Sequence, residues 1–197
     1  QGVVSESCLP KTAWPPTYQG QRDIPLSAAG IAQLRQADFS PEVVYVTPLQ
    51  RTAQTARVFF PGAKLIPVDG LKEMNFGRFE GQTFVQVEQD PEYLAWVQEN
   101  EHAAHPDGER RSDFCNRVCK TLADLIDKAL AEGQERLVIV AHGGTQMAAL
   151  ERFGVPRRSF HDWCGPNAGG YVLDARDWPE QHILHLVETV QYTKENG

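Results

Sequence analysis

The 197-residue chain has an ordinary globular composition, with 41% hydrophobic and 23% charged residues. Its net charge of −7 argues against a general nucleic-acid-binding or anionic-membrane-binding surface, since such surfaces need an excess of basic residues. There is no long apolar span, and residues 1–7 do not resemble a targeting segment. We therefore expect one domain over residues 1–197 that binds neither nucleic acid nor membrane, and the sequence predicts no particular oligomeric state.

Residues 1–26 are predicted to be irregular, because four prolines interrupt any helix. Ser27 is the predicted N-cap of a helix that extends to Ala37. The apolar run at residues 43–46 predicts a short buried strand, followed by a helix that begins at Pro48.

Arg51 lies in the first turn of that helix, directly after the carboxyl end of a strand. A helix dipole disfavours a cation there by a few tenths of a kcal/mol to about 1 kcal/mol. Either an anion site nearby or a solvated surface arginine is consistent with this position. Residues 64–68 form the next predicted strand, which Pro67 places at an edge of the sheet. The loop at 71–83 is rich in glycine, aromatic residues and carboxylates, so it is either functional or simply well packed.

Two short helices are predicted at residues 84–88 and 91–99, before a polar connection in which His102 and His105 are expected to be exposed. A long amphipathic helix follows over residues 112–132. Cysteines have no metal-ligand spacing, and those within this helix are predicted to be small buried residues. Such unpaired thiols indicate a reducing compartment and therefore a cytoplasmic location. The cysteines are Cys8, Cys115, Cys119 and Cys164.

Residues 137–145 carry the strongest local signal, because an uninterrupted apolar run there predicts a strand buried on both faces. His142 follows it, and an apolar helical pattern resumes at Met147. Open α/β sheets bind ligands at this end of a strand, and the free amides of a helix N-terminus favour an anion. A histidine that only caps the strand before a tight turn explains the same pattern.

Residues 170–173 and 183–187 are the last predicted strands, joined by a turn near Trp178. Strands that alternate with helices predict an α/β fold, a three-layer sandwich whose mostly parallel central sheet has helices on both faces. Three further histidines are predicted to be structural rather than ligands: His161, His182 and His185.

Five segments, taken in order, resemble the motifs of the histidine phosphatase superfamily. They are residues 18–30, 47–56, 71–83, 106–109 and 140–144. The resemblance implies the phosphoglycerate-mutase-like fold and a phosphatase that needs neither metal nor cofactor. The implied partner is a small phosphorylated substrate.

The resemblance also implies a role for each candidate site residue. In the family, the histidine of an N-terminal Arg-His-Gly motif attacks phosphorus and forms a phosphohistidine. Arg51 and His142 would hold the phosphoryl oxygens, while the Gly143 backbone and Gln19 would add substrate contacts. Glu73 would protonate the leaving oxygen and later activate water.

The sequence departs from the family at the nucleophile, since none of its six histidines precedes Tyr18. We therefore expect that the strand carrying Arg-His-Gly is absent from residues 1–197 and lies upstream of Gln1. The alternative is a non-catalytic member that binds a phosphorylated ligand or a partner protein. A mutase is a third possibility, less favoured because mutases of this family carry larger insertions.

Residues 84–108, together with a loop around Trp14, are the predicted lid over the substrate. Tyr93 and Trp96 lie in this segment among few cations, which favours a substrate with a bulky or apolar alcohol portion. An α-ribazole-phosphate-like substrate is one that the resemblance suggests.

Overall fold

The computed structural model describes residues 3–7, 17–99 and 105–194, with the backbone alone for residues 3–7. A seven-stranded sheet in the order β3-β2-β4-β1-β6-β7-β5 forms the middle of this part of the chain. The strands are β1 (Val3–Ser7), β2 (Val43–Val46), β3 (Lys64–Pro67), β4 (Leu137–Val140), β5 (Gly154–Val155), β6 (Gly169–Asp174) and β7 (Leu184–Gln191).

Helices connect the strands and cover both faces of the sheet. They are α1 (Ala28–Gln33), α2 (Gln50–Phe59), α3 (Phe84–Val87), α4 (Pro91–Gln98), α5 (Arg111–Ala131), α6 (Gly143–Phe153) and α7 (Trp178–Gln181). No helix within the described ranges is both long and apolar enough to span a membrane.

Strand β4 shows how the two faces are built. Leu137 and Ile139 pack into one hydrophobic core with α5 and α6, whereas Val138 and Val140 pack into a second core with α2 and with residues that flank α1. The strands β3, β2, β4 and β1 run parallel, and β6 is antiparallel to both β1 and β7. The predicted three-layer α/β architecture with a mostly parallel sheet is confirmed.

The central strand β1 corrects one prediction. We expected residues 1–26 to be irregular, but Val3–Ser7 forms a strand in the middle of the sheet, parallel to β4 on one side and antiparallel to β6 on the other. Both edges of β1 are hydrogen-bonded, so no row of unpaired backbone groups is left in the middle of the sheet. The segment that fills this place contains no histidine.

Short-range sequence signals predict the start of α1 and the edge position of β3. Ser27 caps α1 through its side chain, which accepts the Gly30 N–H at 3.0 Å. The helix ends at Gln33, earlier than predicted, because Leu34 turns to an extended conformation and pairs with Thr193. Pro67 lies in the edge strand, as predicted.

His105 is buried, so the prediction of an exposed loop histidine is wrong. Its side chain is only 2% exposed and contacts the rings of Phe76, Phe79 and Trp96. Neither ring nitrogen has a hydrogen-bond partner among the described residues. Burial lowers the pKa of His105 to about 4. His102 lies outside the described residues.

Replacement of His105 by Phe is expected to reduce the pH dependence of stability. The native pKa of His105 is about 4 and its ordinary value is 6.5, so below pH 6.5 the unfolded chain binds the proton first. The free energy of unfolding should therefore decrease as the pH is lowered below 6.5, and it should level off once the pH is below the native pKa of about 4. Between pH 7 and pH 5 this effect amounts to about 2 kcal/mol. Urea unfolding at both pH values measures it, and an equal loss in both proteins would contradict the prediction.

Candidate active site

The candidate site lies at the carboxyl edge of the parallel strands. Thr47 directly follows β2, and His142 follows β4 after one residue. Glu73 lies in the loop beyond β3, just after a 3-10 turn at Asp69–Leu71. Because these three strands are neighbours and parallel, their carboxyl ends meet at one edge, where α/β sheets bind ligands.

The Glu73 carboxylate is held by two backbone amides. Its Oε1 accepts the Met74 N–H at 2.8 Å, and its Oε2 accepts the Gly144 N–H, in the first turn of α6, at 3.0 Å. Burial raises the pKa of Glu73 above its ordinary value, although both amides and the cations of Arg51 and Arg117 act in the opposite direction. A carboxyl group that stays protonated to higher pH is suited to donate a proton.

His142 is only 2% exposed. Burial holds its pKa well below the ordinary value, and the charges of Arg51 and Arg117 lower it further. Its Nε2 lies 2.9 Å from Thr47 Oγ1, and its buried Nδ1 has no partner in the described part of the chain. When Thr47 donates to Nε2, the single ring proton is on Nδ1, which can then donate to an anionic guest.

Arg51 is also 2% exposed. Its Nη1 donates to the Arg22 carbonyl and its Nη2 to the Gly20 carbonyl, both at 2.7 Å. Burial lowers the pKa of Arg51, while Glu73, Asp23 and Glu80 raise it. The side chain therefore fastens a loop and places a cation close to Glu73.

Asp23 explains how a cation is accommodated at the start of α2. Its Oδ1 accepts the N–H of Gln50, the first residue of the helix, at 2.7 Å. This carboxylate supplies the negative charge that the helix N-terminus favours. Arg51 is thus a buried, hydrogen-bonded side chain rather than a solvated surface residue.

The two remaining predicted contacts are placed less directly. Gly143 begins α6 beside His142, with its backbone at the helix N-terminus. The Gln19 side-chain amide donates to Thr17 Oγ1 at 2.8 Å. Their contacts with substrate stay predictions.

Three site residues were missed by the sequence argument. Gln21 donates from Nε2 to the Glu73 carbonyl at 3.0 Å, and Glu80 accepts the Gln21 N–H at 2.8 Å. Arg117 also contacts the Glu73 carbonyl, from α5. Glu80 lies within a motif segment, so its position gave a signal, whereas the pattern of α5 marked only its apolar face.

Replacement of Gly144 by Ala is expected to dislodge the Glu73 carboxylate. An added Cβ would lie 2.2 Å from Glu73 Oε1 and 3.1 Å from its Cδ, so the carboxylate must move and lose its bond to the Gly144 amide. Turnover of phenyl phosphate should fall by about tenfold or more, because a proton donor must be within hydrogen-bond reach.

Gly62→Ala is the matched control, because a Cβ there meets nothing within 4 Å. Steady-state kinetics of both variants check the prediction, with urea unfolding to compare their stability. Unchanged turnover in Gly144→Ala would show that the carboxylate position is unimportant.

Comparisons with known proteins find named phosphatases among those similar to this chain. A protein of Hydrogenobacter thermophilus named as a phosphoserine phosphatase is 29% identical over 143 residues, which cover 68% of each chain. The adenosylcobalamin/alpha-ribazole phosphatase of Escherichia coli is 28% identical over 150 residues, or 71% of this chain and 72% of that protein. The structure of the alpha-ribazole phosphatase from Shigella flexneri matches with a TM-score of 0.80 at 22% identity, covering 95% of both chains.

A family-wide match also covers most of the chain. Residues 10–186 match the histidine phosphatase superfamily (branch 1). The predicted motifs from residue 18 onward all lie inside this range, in the expected order. The chain therefore belongs to the histidine phosphatase superfamily and has its phosphoglycerate-mutase-like fold.

Proposed function

We propose that the chain is a phosphomonoesterase that hydrolyses a small phosphorylated metabolite. The observation that carries the proposal is the protonatable Glu73 carboxyl, held at the N-terminus of α6, with the Arg51 cation close enough to act on the pKa values of both Glu73 and His142. Family membership and the phosphatase names of the relatives support a hydrolase.

In the proposed reaction the side chains and backbone amides of the protein stabilise the phosphoryl charge and transfer the protons, and no metal takes part. Arg51, the His142 N–H and the amide of Gly143 would hold the phosphoryl oxygens, because charge spreads over these oxygens in the transition state. Glu73 would give its proton to the leaving oxygen and then take a proton from the attacking water.

The proposed covalent intermediate is a phosphohistidine. The histidine that attacks phosphorus is proposed to lie upstream of Gln1, because none precedes Tyr18. An Arg-His-Gly strand upstream of Gln1 would need the place between β4 and β6 that Val3–Ser7 fills. The two segments are therefore alternatives for one position in the sheet. The test uses the full-length protein as encoded, incubated with a phosphomonoester and quenched at high pH. Mass spectrometry should then find an acid-labile phosphohistidine upstream of Tyr18.

A non-catalytic phosphate-binding member is the second candidate. It is favoured by one specific observation, the histidine-free central strand β1. Hydrolysis of phenyl phosphate decides between the two, with inorganic phosphate titrated by calorimetry in parallel. Phosphate binding without turnover or phosphoenzyme would support this second function and contradict the first.

The proposed substrate has a bulky or apolar alcohol portion. Tyr93 and Trp96 of α4 are buried with Phe79 in an aromatic cluster, so they pack the inside of the proposed lid rather than its surface, and the Tyr93 hydroxyl lies 2.8 Å from that of Tyr18. Phe84 in α3 is 55% exposed, which leaves apolar surface in the proposed lid at residues 84–108. A panel of phosphomonoesters tests this idea, and a preference for triose phosphates would contradict it.

The proposed location is the cytoplasm, where thiols stay reduced. Within the described residues, Cys115, Cys119 and Cys164 are free, and burial raises the pKa of the Cys119 thiol to about 11. Such a thiol is a structural side chain rather than a reactive one.

A further inference from the structure

Arg117 on α5 uses every N–H of its guanidinium in contacts around the Glu73 loop. Its Nε and Nη2 donate to the two carboxylate oxygens of Glu109, each at 2.9 Å. Its Nη1 donates to the carbonyls of Gly70 and Lys72, both at 3.0 Å, and Nη2 reaches the Glu73 carbonyl at 3.4 Å. These contacts account for all five donors that an arginine side chain possesses.

Glu109 grips the other end of the same loop. Its Oε2 accepts the Asn75 N–H at 2.9 Å, and its own backbone N–H donates to the Asn75 carbonyl at 2.9 Å. Arg117 and Glu109 therefore bracket the backbone from Gly70 to Asn75, with Glu73 between the two sets of contacts. Both side chains are about three-quarters covered, which shields their bidentate ion pair from solvent.

We infer that Arg117, together with Glu109, is a positioning pair that aims the Glu73 carboxyl at the leaving oxygen of the substrate. The inference rests on the proposed function, in which Glu73 is the proton donor. Neither residue touches the reacting atoms. The pair acts by fixing the carbonyls on both sides of Glu73, so that its carboxylate stays against the Gly144 amide.

The chemistry of this position requires arginine. A planar guanidinium can serve two carboxylate oxygens and several carbonyls at once, whereas a lysine has three donors on one nitrogen. Arg117→Met keeps an apolar stem but removes every donor, together with the guanidinium that lies 5.3 Å from the centroid of the Phe114 ring. We therefore expect Arg117→Lys to retain part of the function and Arg117→Met to lose it.

The experiment compares two aryl phosphates in the full-length protein. Phenol is a poor leaving group that needs a proton, whereas 2,4-dinitrophenol leaves without one. Arg117→Met should lower kcat on phenyl phosphate by about tenfold or more and change kcat on 2,4-dinitrophenyl phosphate much less. Arg117→Lys and Glu109→Gln should fall between Met and wild type. Lys120→Met on the same helix, which removes an exposed pair with Asp124, should leave both substrates unaffected.

Two further measurements separate positioning from general damage. In the Glu73→Gln background, Arg117→Met should cause little additional loss on phenyl phosphate, because the residue acts through Glu73. Hydrogen exchange should become faster at the Met74 and Asn75 amides of Arg117→Met, since both are held by the clamped loop.

Equal losses on both aryl phosphates, or unchanged exchange at these amides, would overturn the inference. If Arg117→Met does not fold, the milder Arg117→Lys and Glu109→Gln decide by the same criteria. If the wild-type protein hydrolyses neither substrate, the proposed function fails. Hydrogen exchange then decides alone, and only unchanged exchange would also refute the clamp.

Discussion

Glu73→Gln is expected to lower kcat on phenyl phosphate by about 10²–10⁴-fold, the usual contribution of a general acid. The amide has the shape of the carboxyl but no proton to give. Its NH₂ group would also face one of two backbone donors, Met74 and Gly144, that now bind carboxylate oxygens. Turnover of 2,4-dinitrophenyl phosphate should fall far less, because that leaving group departs as an anion.

The pH dependence gives a second check on Glu73. Burial raises its pKa, so the protonated form persists above the range of an ordinary carboxyl. In the wild-type protein kcat on phenyl phosphate should decline as pH rises through this raised pKa. The decline should be missing in Glu73→Gln and present in the control Glu135→Gln, a substitution at an exposed residue outside the proposed lid. Equal activity of the two variants on phenyl phosphate would remove Glu73 from the mechanism.

His142→Ala is expected to reduce kcat/KM by about 10²–10³-fold, the typical effect of removing one donor to a developing oxyanion. The loss should appear with good and poor leaving groups alike, which distinguishes His142 from Glu73. Burial keeps the imidazole neutral, so its contribution is an N–H rather than a full charge. Inorganic phosphate should also inhibit the variant more weakly.

The matched control for His142 is His185→Ala. His185 is hydrogen-bonded to Asp177 at 2.6 Å on β7 and has no contact with the candidate site. Both variants should be compared by urea unfolding, because His142 is buried and its removal leaves Thr47 without that partner. An active and stable His142→Ala protein would contradict the role of His142 as a phosphoryl clamp.

The strands β2 and β4 could be predicted from sequence because they are unbroken apolar runs buried on both faces. Pro67 identified the edge strand, since proline cannot donate to a sheet. Ser27 identified a helix start because its hydroxyl replaces a missing backbone partner. Each of these signals is local, within a few residues of the element that it predicts.

The elements that sequence did not predict depend on distant contacts. Strand β1 contains few apolar residues, and its conformation comes from pairing with β4 and β6, far along the chain. His105 lies in a polar segment, and the rings that bury it come from two other parts of the chain. The residue pattern of one segment carries no information about a neighbouring side chain that comes from another segment.

The sequence named the candidate site residues but not the residues that hold them in place. Motifs named Arg51, Glu73 and His142, which the structure brings to one edge of the sheet. The contact between Glu73 and the Gly144 amide joins residues 71 positions apart, so it could not be read from either motif alone. The same holds for Arg117, whose role depends on three carbonyls of a separate loop.

The central position of β1 has a consequence for the order in which the protein forms. Val3 pairs with Leu137 on one side and with Leu173 on the other, so β1 cannot pair until the last third of residues 1–197 has been synthesised. Contacts of such long sequence separation form slowly, because the closure of a large loop precedes any gain. During synthesis β1 therefore stays unpaired until β4 leaves the ribosome, and its other edge stays unpaired until β6 follows. A chain truncated before Gly169 lacks β6 and β7, which leaves one edge of β1 unpaired. We expect such a chain to be a substrate for chaperones and proteases.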